Sequence, residues 1–559
     1  MSQSATTFTG AQILVRLLER QGVRIVAGIP GGAILPIYDA LSQSGRIRHV
    51  LARHEQGAGF IAQGMARVTG LPAVCMASSG PGATNLVTAV ADARMDSIPL
   101  VAITAQVPRA MIGTDAFQEV DTYGLSVPIT KHNFLIGRAA ELLDVIPRAF
   151  RIAASGRPGP VLIDIPKDVQ NELVEVGPWP APGLREWPPE PERDRIALAA
   201  QMINEASRPM LYLGGGVVHS GAASACVALA EKAGLPTVMT LMALGAMATD
   251  HRLSLGMLGM HGARCTNLAL EECDLLIAVG ARFDDRATGK AAAFCSRARI
   301  IHIDIDPSEL GKIKAAHVGM TGDVGRVLEL LLPQVRMQRR GGWLQRVDEL
   351  KRAHPLRTPG ADDIRTHYGL IAAVAACLDD EATIVTDVGQ HQMWTAQAYP
   401  LRRSRQWLTS GGLGTMGFGL PAAIGAALAE PQRRVVCFTG DGSLLMNVQE
   451  LATAAEQQAN VKIVLLDNAA LGLVHQQQTL FYGKRSFASK YAHKPDFPAL
   501  ARGFGIDAVD LDEEIDAHAA LCRALLMPGP VLIHASIDQE QQVLPMVAPG
   551  APNHEMIGG

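Results

Sequence analysis

The sequence predicts an α/β protein built from three doubly wound parallel-sheet domains. Three observations predict it. Short apolar runs alternate with longer amphipathic ones along the whole chain, the sign of parallel strands joined by crossover helices. Two breaker-rich stretches divide the 559 residues into three pieces. The first and last pieces repeat one order of events: helix, proline, apolar strand, glycine turn, helix.

Composition agrees with that class. Apolar residues make up 48% of the chain, charged residues 19% and aromatics 4%, with 55 glycines for tight strand-to-helix turns. A net charge of −4 gives no reason to expect nucleic acid or an anionic membrane as partner. No run approaches the roughly 18 to 20 apolar residues that cross a bilayer. The N-terminal Met1-Ser2-Gln3-Ser4-Ala5-Thr6-Thr7 reads as a short loose tail without a targeting address. None of the eight cysteines (75, 226, 265, 273, 295, 377, 437, 522) falls in a CxxC pair. Reduced core thiols in a cytoplasmic protein are therefore expected.

In chain order, the first domain is expected over residues 1–176. Within it, 56–67 read as a helix, Pro72 breaks it, 73–77 are a strand, and Ser79-Gly80-Pro81-Gly82 turns into another helix. A linker over 177–194 holds six prolines, which neither a helix interior nor a central strand tolerates. The central domain is expected over 195–335. Its strand 209–213 leads into Gly214-Gly215-Gly216, strand 274–279 into Gly280, and strand 299–305 ends at Asp304-Ile305-Asp306. No GxGxxG follows these strands, so the residues alone support only a possible nucleotide domain. A second linker over 336–363 has a possible short helix at 343–352.

The third domain, 364–559, carries the strongest local signal. Helix 421–428 ends at Pro431, strand 435–439 follows, and Gly440-Asp441-Gly442-Ser443 forms a turn of small residues. Asn447 and Glu450 read as a capping box opening a helix to about Gln458, and strand 461–466 ends at Asp467-Asn468. A right-handed βαβ unit puts Asp441 and Asn468 on one sheet rim. A carboxylate and an amide oxygen suit Mg²⁺ bridged to phosphate, and the glycines let backbone N–H groups approach a diphosphate. The plainer reading is ordinary loop chemistry.

Gly440-Asp441-Gly442 through Asn468 resembles the fingerprint of thiamine-diphosphate enzymes. Three stretches extend the likeness: Arg53-His54-Glu55-Gln56-Gly57-Ala58, Gly411-Gly412-Leu413-Gly414-Thr415-Met416-Gly417 and Gly280-Ala281-Arg282-Phe283-Asp284-Asp285-Arg286. With Asp115-Ala116-Phe117-Gln118-Glu119, they resemble the catalytic (large) subunits of acetolactate synthase, the isozyme I type most of all. The likeness runs from about Phe8 to Met546. It implies two thiamine-diphosphate-binding domains flanking a Rossmann-like, FAD-associated domain. It also implies decarboxylation of pyruvate and ligation of the two-carbon unit to pyruvate or 2-ketobutyrate, the first common step of valine, leucine and isoleucine biosynthesis.

The resemblance also implies roles for residues. Glu55 would bond N1′ of the aminopyrimidine, Met416 would be the apolar wedge under the bent cofactor, Gln118 would shape the intermediate, and Arg286 would hold the acceptor carboxylate. Gly32, Ala33, Pro81, Val388, Gly389, Gln390, His391, Gly414, Gly440, Gly442, Ser443, Leu471, Gly472, Leu473 and Val474 would contact thiamine diphosphate. Asp441, Asn468 and the carbonyl of Ala470 would bind Mg²⁺. FAD, without a net redox role, would be held by Arg157, Gly214, Gly215, Gly216, Thr240, Leu241, Met242, Leu258, Gly259, Met260, His261, Gly280, Arg282, Asp304, Ile305, Asp306 and Asp323. Read alone, Glu55 is an acid in a first helical turn, Met416 core filler, His391 a structural histidine, and Arg286 half of a surface ion pair.

Gln477 stands where most of the family has a tryptophan that favours 2-ketobutyrate, so little acceptor preference is expected. The implied assembly is a homodimer or dimer of dimers, with a small regulatory subunit as partner. The competing readings are another thiamine-diphosphate enzyme (an oxidase, a simple decarboxylase or glyoxylate carboligase) and a noncatalytic nucleotide-binding scaffold.

Overall fold

The structure is a computed structural model that describes residues 6–558. Three six-stranded sheets organise the chain, and every strand pair within them is parallel. Counting only the strands of each sheet in chain order, the first sheet runs second, first, third, fourth, sixth, fifth strand. The last sheet has the identical order. The central sheet runs third, second, first, fourth, fifth, sixth, the order of dinucleotide-binding folds. The repeated helix–proline–strand–glycine pattern therefore marks two domains of one topology around a third of another.

The strands form where the apolar runs predict them. Ala73–Ala77 and Pro209–Leu213 are buried at every position, as a strand covered on both faces must be. The expected helix at 343–352 spans Gly341–Ala353, and Trp343 anchors it by donating its indole N–H to the Pro209 carbonyl at 3.0 Å. Residues 178–192, with the six prolines, form neither helix nor strand. No helix among the described residues is long and apolar enough to cross a membrane.

First and third domains share a core. Helix Glu55–Thr69 lies against helix Gly419–Ala429, where Gly64 meets the Ala422 carbonyl and Gly425 the Ile61 carbonyl. Phe60 and Phe418 close this seam edge to face, with ring centroids 5.4 Å apart. Small residues let the two backbones approach, and that approach fixes where Glu55, the first residue of its helix, stands.

Four expectations need correction. Thr6 and Thr7 belong to strand Thr6–Thr9, paired antiparallel with Leu173–Val176; the rest of the expected tail, Met1–Ala5, lies outside the described residues. Cys377 and Cys522 are disulfide-bonded rather than reduced, because the fold brings their Cα atoms to 5.4 Å across 145 residues of sequence. The other six cysteines are free and buried. Asn447 and Glu450 form no capping box: the Asn447 amide donates to the Gly417 carbonyl at 2.7 Å, and Glu450 turns to the first domain. A helix, Asp441–Met446, starts directly at Asp441 instead of after a turn, and a second, Glu450–Gln457, follows.

Candidate active site

Three adjacent parallel strands of the last sheet, Thr383–Thr386, Val435–Gly440 and Val461–Asp467, deliver one rim cluster at their carboxyl ends. The first leads to Val388, Gly389, Gln390 and His391, the second to Asp441, Gly442 and Ser443, the third to Asn468 and Ala470. Ser443 ties the first two loops by donating to the Val388 carbonyl at 2.7 Å. Asp441 ties the second and third, accepting the Ala470 N–H at 3.1 Å and its neighbour Gly442 N–H at 2.8 Å. Its carboxyl is pushed up to about 7, by burial first and Asp467 second. The Asn468 amide N–H₂ donates to Gln390 at 3.0 Å, which identifies the other end of the amide as its oxygen. Among the described residues that oxygen has no hydrogen-bond donor, so carboxylate, amide oxygen and main-chain carbonyl form a hard donor set fit for Mg²⁺.

His391 supports the neighbouring anion site. Its ring is buried, burial pushes its pKa down to about 3, and Nε2 has no partner within the protein. A Cβ on Gly440 would lie 2.8 Å from His391 Nδ1, so only glycine leaves the ring its place. A buried ring nitrogen without a partner is costly, and in the Nε2–H tautomer a diphosphate oxygen would be its partner. Leu471 is the N-cap of helix Gly472–Phe481, so Gly472, Leu473 and Val474 form its first turn rather than a loop, and that helix N-terminus adds to the anion site.

The first sheet builds the matching rim. Its strands Ile25–Gly28, Ala73–Ala77 and Leu100–Gln106 lead to Gly32 and Ala33, to Gly80 and Pro81, and to Gln118. Glu55 follows strand Arg48–Leu51 on the same rim, and Asn85 donates to its carboxylate at 2.9 Å. Gly80 has φ +57°, and a Cβ there would lie 2.8 Å from the Gln118 carbonyl oxygen. Gln118 itself sits at φ 59°. A side chain held in that region is strain typical of sites where geometry matters more than stability.

Sequence reasoning missed Glu450. This buried carboxylate accepts the N–H groups of Arg53 and His54, each at 3.0 Å, and the Thr453 hydroxyl at 2.7 Å. It is the acceptor for the N–H groups that lead into the Glu55 helix, supplied by the last domain. Gly57 makes room for it, which was the one signal available within the quoted His-Glu-Gln-Gly stretch.

The implied flavin residues converge on a cavity of about 890 Å³ where all three domains meet. Arg157 comes from the first domain; Gly214, Gly215, Gly216, Thr240, Leu241, Met242, Leu258, Met260, His261, Gly280, Arg282, Asp304, Ile305 and Asp323 come from the second. Gly411, Gly412 and Gly414 close it from the third. A Cβ on Gly216 would lie 2.7 Å from the Gly280 Cα, so these loops touch backbone to backbone and open a cradle beside them. The Thr240 hydroxyl and His261 Nδ1 are buried without partners, and arginines supply cations for phosphate. The donors and the shape fit a flavin dinucleotide. Gly259 and Asp306 do not face the cavity. Gly259 is bracketed by the Asn267 side chain at 3.0 Å, and Asp306 stands behind the wall, pairing with Arg157 at 3.3 Å. Asp323 also pairs with Arg185 at 2.9 Å.

Arg286 lines the same cavity near Leu473 and Gln477. Its side chain is 64% exposed and lies 3.7 Å from Asp285, so the surface ion pair weighed from sequence is present, weakly. Met416 is half-buried on the segment beside Gly414.

Comparison with known proteins agrees with this geometry. Three sequence-family models match: "Thiamine pyrophosphate enzyme, N-terminal TPP binding domain" over residues 8–125, the central domain over 196–331, and the C-terminal TPP binding domain over 387–535. The chain is 63% identical to the acetolactate synthase isozyme 1 large subunit of Escherichia coli (strain K12), over 100% of both chains. It is 48% identical to the isozyme 2 large subunit of the same organism, over 98% of this chain and 99% of that one. It is 46% identical to an acetolactate synthase of Mycobacterium leprae (strain TN), over 99% of this chain and 91% of that one.

Proposed function

The chain belongs to the acetolactate synthase large subunits, a family of thiamine pyrophosphate enzymes, and from that premise we propose how its own residues carry the reaction. The enzyme decarboxylates pyruvate and ligates the two-carbon unit to a second 2-keto acid, giving 2-acetolactate from pyruvate or 2-aceto-2-hydroxybutyrate from 2-ketobutyrate. Its cofactors are thiamine diphosphate, Mg²⁺ and FAD.

Bound thiamine diphosphate supplies an electron sink that lets a 2-keto acid lose CO₂. The protein supplies binding, orientation and proton positions. Asp441, the Asn468 amide oxygen and the Ala470 carbonyl would hold Mg²⁺, while His391, Gln390, the small Gly442 and the Ser443 N–H would hold the diphosphate. Glu55, kept in place by Asn85, holds a proton at the aminopyrimidine N1′. Met416 would supply the apolar side chain beneath the bound cofactor. Arg286 binds the acceptor carboxylate in a planar fork, and Gln118 with Phe117 shapes the space around the two-carbon unit. Gln477, on the cavity wall near Arg286, leaves acceptor choice nearly open. The domains fall at 1–176, 195–335 and 364–559.

Glu55 of one protomer serves the metal–diphosphate cluster of its partner, so a homodimer is the smallest working unit, alone or as a dimer of dimers. Exposed apolar side chains beside both rims support this, among them Leu35 (53% exposed), Phe117 (86%), Met446 (50%) and Val474 (46%). The relatives' designation as large subunits supports a small regulatory partner.

One observation carries the reading: a buried histidine with an orphaned Nε2 beside an Asp–Asn–carbonyl donor set on one sheet rim. Purified enzyme should consume pyruvate only with thiamine diphosphate and Mg²⁺, form acetolactate, and take up no oxygen. Glu55→Gln should lose that activity. Parent-like turnover by Glu55→Gln would overturn the assignment.

A further inference from the structure

A buried ionic cluster with no role assigned above lies between the flavin cavity and the segment carrying Gly414 and Met416. Arg67, on helix Glu55–Thr69, is 7% exposed; Asp92 and Asp96, on helix Pro81–Asp96, are 0% and 5% exposed. Arg67 Nη2 lies 3.2 Å from Asp92 and 2.9 Å from Asp96. Two carboxylates and one guanidinium out of water stand only if further donors complete them. Segment 409–417 provides those donors. The Ser410 and Thr415 hydroxyls both donate to Asp92, Thr415 at 2.9 Å. The N–H groups of Gly411 and Gly412 donate to Asp96 at 3.1 and 2.7 Å, and the Thr409 carbonyl accepts from Arg67 at 2.9 Å.

The same groups form a wall of the flavin cavity, which Asp96, Ser410, Gly411 and Gly412 line. The Asp96 carbonyl also receives the Nε2–H of His219 at 3.1 Å, from helix Gly215–Ser220 at the glycine cradle. Segment 411–414 has no large buried side chain to hold it, and the N–H groups of Gly411 and Gly412 are held by Asp96.

We propose that Asp92 and Asp96, bridged by Arg67, are positioning residues through which flavin in its cavity fixes the Gly414–Met416 segment, so that flavin binding tightens thiamine diphosphate binding with no redox step. The inference rests on the assignment of the two cofactor sites above. A ligand that orders a shared segment lowers the ordering cost for the second ligand, and the coupling is reciprocal.

The test is the dissociation constant of thiamine diphosphate, at saturating Mg²⁺, measured by calorimetry on flavin-depleted and flavin-reloaded full-length enzyme. The parent should bind about tenfold more tightly with flavin present, within the usual range of allosteric coupling. Asp92→Asn, at the member of the pair that does not line the cavity, should still bind each cofactor alone but lose the linkage. Thr415→Val, which removes one hydroxyl at constant size, should weaken it and keeps the test decisive if Asp92→Asn does not fold. A parent with no linkage, or variants that keep the parent's full factor, would overturn the proposal. A parent that binds neither cofactor would overturn the site assignment itself.

Discussion

Glu450→Ala probes how the last domain sets the position of Glu55, the proposed catalytic acid. Glu450 satisfies the Arg53 and His54 N–H groups and the Thr453 hydroxyl from a buried position. The threonine can rotate to another acceptor, but the two backbone N–H groups cannot. Leaving two buried donors unpaired, at about 1 to 2 kcal/mol each after partial relaxation, destabilises the start of the Glu55 helix by about 2 to 4 kcal/mol. Burial raises the pKa of Glu450 despite those hydrogen bonds, so its charge is not what the fold gains from. Glu450→Gln, which keeps an acceptor oxygen, should therefore retain most of the stability. Hydrogen exchange of the amides around residues 53–57 is the assay. Glu450→Ala should speed their exchange roughly 30- to 1000-fold, since about 1.4 kcal/mol is a factor of ten, and Glu450→Gln far less. Unchanged exchange in Glu450→Ala would refute the reasoning.

Further consequences follow from the same geometry. Gln477→Trp should move acceptor choice toward 2-ketobutyrate in a pyruvate/2-ketobutyrate competition; an unchanged product ratio would remove Gln477 from the acceptor wall. His391→Ala should weaken thiamine diphosphate binding by about tenfold or more, the worth of one hydrogen bond to a charged group, with FAD binding unchanged. Equal loss of both cofactors would instead indicate general unfolding. Asp164 is buried and its carboxyl is raised from 3.8 to about 7 by that burial. A raised carboxyl binds its proton more tightly folded than unfolded, so this stability is full at low pH and lost as pH rises through about 7. The Tm of Asp164→Asn should accordingly gain on that of the parent between about pH 5 and about pH 8. A constant difference would contradict the linkage.

Much of the site was legible because its signals are local. Asp441 and Asn468 sit at the ends of neighbouring apolar strands, and a right-handed crossover leaves few other arrangements. Apolar runs such as 73–77 and 209–213 can only be buried strands between glycine and proline breakers. What escaped depends on partners distant in sequence. Glu450 read as a helix cap because glutamate three residues after asparagine has that local meaning, whereas its partners are Arg53 and His54 in another domain. Arg67, Asp92 and Asp96 look like ordinary polar positions on amphipathic helices until the 409–417 segment folds over them. The Cys377–Cys522 bond was invisible for the same reason: 145 residues separate the pair and no motif marks it.

Mixing two inactive variants tests the cross-subunit site most directly. Glu55→Gln lacks the acid and Asp441→Ala lacks the metal anchor, so neither homodimer should turn over pyruvate. Dissociated and reassociated together, half the dimers are mixed, and each mixed dimer holds one site with both groups intact. Recovery of about a quarter of the parent's activity is the predicted result. A mixture as inactive as its components, with mixed dimers demonstrated by differential tagging, would mean that Glu55 and Asp441 of the same chain build the site.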